Sequence, residues 1–137
     1  MTAARATGPP TGERLRVMIC DDVPELRELL RHCFLQEPTT ILVAAAADGE
    51  EALTSAAETR PDVIVTDLRM PGPDPDDLVA GLHAAAPDAA IVLYSGSSGA
   101  SLGSHRGLVR LEVPKGVSPR QLVERIRDLG SLLRTCA

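Results

Sequence analysis

Short apolar runs alternate with segments of helical period from Leu15 to Leu133, and that alternation restricts the fold more than any other feature of the chain. The runs are LRVMIC at 15–20, TILVA at 40–44, VIVT at 63–66, AIVLY at 90–94 and VRLEV at 109–113. VIVT is apolar and β-branched on both faces, as a strand buried on both sides requires. Between the runs, Pro24 opens a helix with Leu26, Leu29, Leu30, Cys33 and Phe34 on one stripe, and Pro38 closes it. Asp48 and Gly49 start a short helix carrying Ala52, Leu53, Ala56 and Ala57, and Leu78, Val79, Leu82 and Ala86 mark a third. Ser118, Pro119 and Gln121 form a capping box for the last helix, which carries Leu122, Ile126, Leu129 and Leu133. This order predicts an α/β fold, with a parallel sheet covered on both faces. It falters once. The stretch GSSGASLGSHRG between Ser95 and Leu108 holds four glycines where a further helix belongs, at about 1 kcal/mol each against alanine. A helix there is expected to be short, distorted or disordered, and 96–107 to be the most mobile internal segment.

The 137 residues suit one domain, expected over 14–137 behind a disordered lead-in at 1–13. A net charge of -5 argues against direct nucleic-acid binding, because phosphate neutralisation supplies most of that affinity. Phe34 and Tyr94 are the only aromatic residues, too few for a base-stacking platform. Cys20, Cys33 and Cys136 show no metal-ligand spacing, which fits a reducing, cytoplasmic setting. No apolar run approaches a membrane span, so no membrane partner is expected.

Ligands of open parallel sheets bind beyond the carboxyl ends of the strands, where the strand order reverses. Asp21 and Asp22 follow the first strand, Asp67 ends the third, Ser95 follows the fourth and Lys115 lies just past the fifth. All five therefore converge on one edge. If strands one and three are neighbours, three carboxylates meet and repel unless a cation joins them. Oxygen-only ligands select a hard ion such as Mg²⁺. Taken singly, Asp22 is as readily a helix N-cap, Ser95 a turn residue and Lys115 a solvated loop lysine. Asp67 precedes a proline-rich loop instead of a helix, so capping explains it poorly. His32, His83 and His105 show no acid partner at a useful spacing.

The motifs CDD at 20–22, TDLRMPG at 66–72, YSG at 94–96 and PKG at 114–116, in this order, resemble the receiver domain of two-component response regulators. The resemblance covers about residues 14–133 and implies a doubly wound five-stranded sheet of flavodoxin-like order 2-1-3-4-5. It implies Asp67 as phosphoacceptor, Asp22 as a direct Mg²⁺ ligand, Asp21 as a ligand through water, and the Arg69 backbone carbonyl as a further ligand. Ser95 and Lys115 become the groups that contact the phosphoryl oxygens. The implied partners are a sensor histidine kinase or phosphotransfer protein and a downstream protein effector, with no turnover of an external substrate.

Three features depart from the pattern. Glu112 stands where an aromatic residue is expected three positions before the lysine, Gly116 replaces the proline after it, and the 96–107 segment is rich in glycine and serine. The pocket is therefore expected to be complete and its readout altered. A receiver-like interaction module indifferent to phosphorylation is the alternative. A haloacid-dehalogenase-like phosphatase is disfavoured, because Arg69 occupies the place of its general acid. The last helix ends close to the end of the sequence, so no output domain is expected within it.

Overall fold

The alternation is realised in the computed structural model, which describes residues 14–96 and 102–136, as a single five-stranded parallel sheet. The strands are β1 (Leu15–Cys20), β2 (Thr40–Ala46), β3 (Val63–Thr66), β4 (Ala90–Ser95) and β5 (Val109–Pro114). The helices are α1 (Pro24–Leu35), α2 (Gly49–Thr59), α3 (Pro75–Ala85) and α4 (Pro119–Cys136). The strand order is β2-β1-β3-β4-β5, so the chain steps from β1 out to β2 and then returns past β1 to build the other edge. The resulting switch point lies between β1 and β3. There Cys20 pairs with Thr66, which puts Asp21 and Asp67 level with each other. At the far edge Ser95 pairs with Pro114, which delivers Lys115 beside them. β2 runs two residues past the expected Ala44 because the β1 ladder continues through Ala45 and Ala46.

Strand alternation divides the core into two layers. Val17, Ile19, Val63, Val65, Val92 and Tyr94 belong with Leu30 and Phe34 of α1 and Leu122 and Ile126 of α4. Met18, Ile64, Ile91 and Leu93 belong with Ala52 and Ala56 of α2 and Leu78, Val79 and Leu82 of α3. Two stripe residues fall outside these layers: Leu29 is about half exposed at 47%, and Ala57 is exposed. Leu29 sits about 100° round the helix from Leu30, which turns to the sheet and leaves Leu29 at the rim.

Three helices begin on side-chain caps. Asp48 accepts from the Glu51 N–H at 2.8 Å while Glu51 accepts from the Ala47 N–H, Asp74 accepts from the Asp77 N–H, and Ser118 and Gln121 bond reciprocally. At α1 the N-cap residue is Val23, which offers no side-chain cap. Its N–H is instead taken by Asp21 Oδ1 at 2.9 Å. Asp22 therefore does not cap the helix that follows it.

Between β4 and β5 the described residues, 102–108, carry a single 3-10 turn, Arg106–Leu108, in place of an α-helix. Residues 97–101 of the segment expected to be mobile, and the lead-in at 1–13, lie outside the described residues. The connection is fastened at both sides. Asp76, in the first turn of α3, accepts from the Gly103 and His105 N–H groups through Oδ1 and meets His105 Nδ1 at 2.7 Å through Oδ2. These contacts, led by the His105 ring, hold the Asp76 carboxyl below its ordinary range. Arg106 pairs with Glu112 at 2.9 Å, and Leu102 is buried in the α2–α3 layer. His105 thus has an acid partner that sits 29 positions away. In Asp76→Ala the Gly103 and His105 amides are expected to lose hydrogen-exchange protection while the denaturation midpoint scarcely moves. Unchanged protection at both amides would show that the carboxylate does not hold the connection.

Candidate functional site

Asp67 leaves β3 with its N–H still bonded to the Cys20 carbonyl at 3.1 Å, so the sheet itself fixes its backbone beside Asp21. Its side chain is nearly buried, at 8% exposure, and accepts three hydrogen bonds. The Arg69 N–H (3.1 Å) and the Ser95 hydroxyl (2.9 Å) donate to Oδ1, and the Lys115 ammonium (2.7 Å) donates to Oδ2. The same ammonium lies 2.9 Å from Asp21 Oδ2, so it bridges the two buried carboxylates. Asp21 is held in turn from outside, since the Arg27 guanidinium donates to its carbonyl at 2.8 Å. Asp22 is exposed, yet it joins the cluster: one oxygen each from Asp21, Asp22 and Asp67 lies within 4.8 Å of the others.

Burial alone would push the Asp67 carboxyl up. The Lys115, Arg69 and Ser95 hydrogen bonds and the Lys115 charge outweigh it, so Asp67 is held below the ordinary carboxylate range and stays ionised at neutral pH. Burial works against the Lys115 charge too, but the hydrogen bonds from the ammonium to Asp67 and Asp21 raise it above an ordinary lysine. Cys20, next to the acidic pair, is pushed up to about 12, chiefly by burial, so its thiol is no nucleophile. Three carboxylates against one ammonium leave two negative charges in the cluster. The donors are all oxygen, one acid faces solvent, and the excess charge equals that of a divalent ion, so the residues fit Mg²⁺.

The loop after Asp67 is braced against α2. Gly72 has a φ of +121°, a backbone conformation that suits glycine, and its Cα faces Gly49, where a Cβ would meet Pro73 at 2.7 Å. The Gly49 N–H donates to the Pro71 carbonyl at 2.8 Å. An open groove of about 630 Å³ runs between Asp22 and this loop, residues 68–75, and gives a side approach to the acidic cluster.

Of the residues singled out in the sequence, Asp21, Lys115, Asp67 and Ser95 form one chain of direct contacts, Asp22 completes the carboxylate cluster, and Arg69 meets Asp67 through its backbone N–H. Arg27 and Tyr94 were not foreseen. Tyr94 is buried and its hydroxyl donates to the Val117 carbonyl at 2.6 Å, behind Lys115. Its one available signal was its place immediately before Ser95.

The sequence matches the profile of the response regulator receiver domain over residues 17–127. The chain belongs to the receiver domain family of response regulators. Among curated proteins, this receiver is 33% identical over 128 residues to protein-glutamate methylesterase/protein-glutamine glutaminase 5 of Myxococcus xanthus, covering 90% of the chain and 37% of that protein. It is 40% identical over 83 residues to protein-glutamate methylesterase/protein-glutamine glutaminase 2 of Anaeromyxobacter dehalogenans, covering 60% of the chain and 24% of that protein. The chain therefore spans less than two fifths of the length of either relative. Among solved structures, a LuxR-family response regulator from Aurantimonas aligns with a TM-score of 0.74 at 29% identity, over 90% of this chain and 87% of that one. The signal receiver domain of the response regulator NarL from Mycobacterium tuberculosis aligns with a TM-score of 0.75 over 87% of this chain and 98% of that one. At 24% identity it shares the fold. No helix among the described residues is long and apolar enough to cross a membrane.

Proposed function

We propose that this receiver accepts a phosphoryl group on Asp67 from a phosphohistidine, of a sensor kinase or a phosphotransfer protein, and signals through changed protein contacts. One observation carries the reading: a nearly buried carboxylate is kept ionised between an ammonium and a hydroxyl, both able to follow phosphoryl oxygens. An Asp67 oxygen attacks phosphorus, the bond from phosphorus to the donor nitrogen breaks, and its electron pair stays on the imidazole. Lys115 then exchanges its Asp67 contact for a phosphoryl oxygen and Ser95 donates to another. Asp21, Asp22, Asp67 and the Arg69 carbonyl would hold Mg²⁺, which supplies neutralisation of the charge gathering on the phosphoryl oxygens. The groove beside Asp22 admits the donor, and the donor class implies a cytoplasmic setting.

The expected test result is uptake of one phosphoryl group from acetyl phosphate with Mg²⁺ and none with a chelator, read by intact mass. A phosphorylation-indifferent interaction module would show no uptake in either arm. Asp22→Ala is expected to weaken Mg²⁺ binding at least tenfold, about 1.4 kcal/mol, by removing one carboxylate from the ligand set. An unchanged Mg²⁺ titration would remove Asp22 from that role.

A further inference from the structure

Lys115 has a flexible four-carbon stem, yet its ammonium sits within 2.9 Å of two carboxylates at once. Such placement requires a fixed backbone beneath it. The loop that carries it, between β5 and α4, is poorly suited to fixing itself. Gly116 follows Lys115, and nothing lies within 4 Å of where its Cβ would be, so packing does not hold that residue, and the nearest packed side chain of the loop is Val117 against the α1–α4 layer. Two backbone bonds shape the loop, from the Lys115 N–H to the Ser95 carbonyl at 3.2 Å and from the Val117 N–H to the Pro114 carbonyl at 2.9 Å. A third anchor comes from a side chain. Tyr94 belongs to the core layer of α1 and α4, with Val113, Leu122 and Ile126, and its hydroxyl donates to the Val117 carbonyl.

We propose that Tyr94 is a positioning residue for Lys115: its hydroxyl, fixed on Val117, holds the β5–α4 loop so that the ammonium stays on Asp67. The inference rests on Asp67 being the phosphoacceptor. β4 supplies both grips, because successive residues of a strand point to opposite faces. Ser95 reaches Asp67 from one face, and Tyr94 reaches the lysine-bearing loop from the other. The pair thereby sets the distance between the nucleophile and its cation. Ser118, the capping residue of α4, directly follows Val117, so a displacement of the loop also pulls on the first turn of that helix. This route needs no aromatic residue at 112, where Glu112 is instead paired with Arg106.

Tyr94→Phe tests the idea, since it removes the hydroxyl and keeps the ring. In the metal-free protein, the Lys115 ammonium is expected to give a slowly exchanging ¹H–¹⁵N signal that broadens or disappears in Tyr94→Phe. That readout does not depend on phosphorylation. With acetyl phosphate and Mg²⁺, the phosphorylation rate is expected to fall roughly tenfold, below the ~10²-fold that a 1 Å misplacement can cost. The same substitution made on Lys115→Ala should then have no further effect. An unchanged ammonium signal, or an equal loss of rate with and without Lys115, would overturn the proposal. Absence of phosphorylation in the parent would overturn the phosphoacceptor reading, and the ammonium signal would still decide the role of Tyr94.

Discussion

Asp67→Asn is expected to take up no phosphoryl group under conditions that phosphorylate the parent, while keeping the five-stranded sheet. The amide oxygen can still accept from the Arg69 N–H and the Ser95 hydroxyl, so the turn after β3 keeps two of its three bonds. What is lost is the proposed nucleophile, since an amide oxygen does not displace a phosphoryl leaving group. The amide nitrogen would also face the Lys115 ammonium, donor against donor, which leaves that ammonium to Asp21. A pH signature accompanies this. The Asp67 carboxyl is depressed in the folded protein, so its share of stability is present above the ordinary carboxylate value of about 3.9 and is lost as pH falls through the folded value. Parent and variant should therefore differ most in urea denaturation at pH 7 and converge below about pH 4. A phosphoryl adduct persisting in Asp67→Asn would move the acceptor to another residue, with Asp21 and Asp22 the first to examine.

What the sequence disclosed, and what it withheld, divides along a physical line. Strand ends are legible locally: an apolar run stops at a charge, and a parallel sheet forces those stops onto one edge. Asp21, Asp22, Asp67, Ser95 and Lys115 were found that way, and the sheet brings them together as the alternation requires. The family motifs supplied the strand order. Contacts across connections are not legible in this way. The Asp76–His105 pair spans 29 positions and the Tyr94–Val117 bond spans 23, and neither follows a helical or strand period. The weak helical propensity around Gly103 and Gly107 was readable, but the carboxylate on α3 that fastens the connection was not. Likewise, three acids at one edge suggested repulsion relieved by a metal cation. The structure places the Lys115 ammonium between the two buried ones, so the metal-free cluster is held together by a resident cation.

That cation makes Lys115→Met the sharpest probe of the metal-free state. Methionine keeps an unbranched apolar stem and removes the charge, leaving Asp21 and Asp67 buried and facing each other without a neutralising partner. Breaking a buried ion pair costs about 3 to 5 kcal/mol, and because the lysine is one-quarter exposed a loss of about 2 to 3 is expected here. With the proposed Mg²⁺ site, a hundredfold excess of the ion over its Kd should return roughly 2.7 kcal/mol. The direction of the pH response separates charge from packing. In the parent, Lys115 is raised, so its contribution is complete below the ordinary lysine value of about 10.4 and is lost as pH rises through the folded value. Asp67 sets the acid limit near pH 4 or below, so parent stability from this pair should be flat between about pH 5 and 8. In Lys115→Met burial is left to raise the Asp67 carboxyl without the ammonium that outweighs it, so the metal-free deficit of the variant should shrink as pH falls from about 7 towards the ordinary carboxylate value of about 3.9. Urea denaturation of both proteins across that range, with a chelator present, decides it. A variant that is weaker than the parent by a constant amount would assign the loss to packing of the lysine stem and not to its charge.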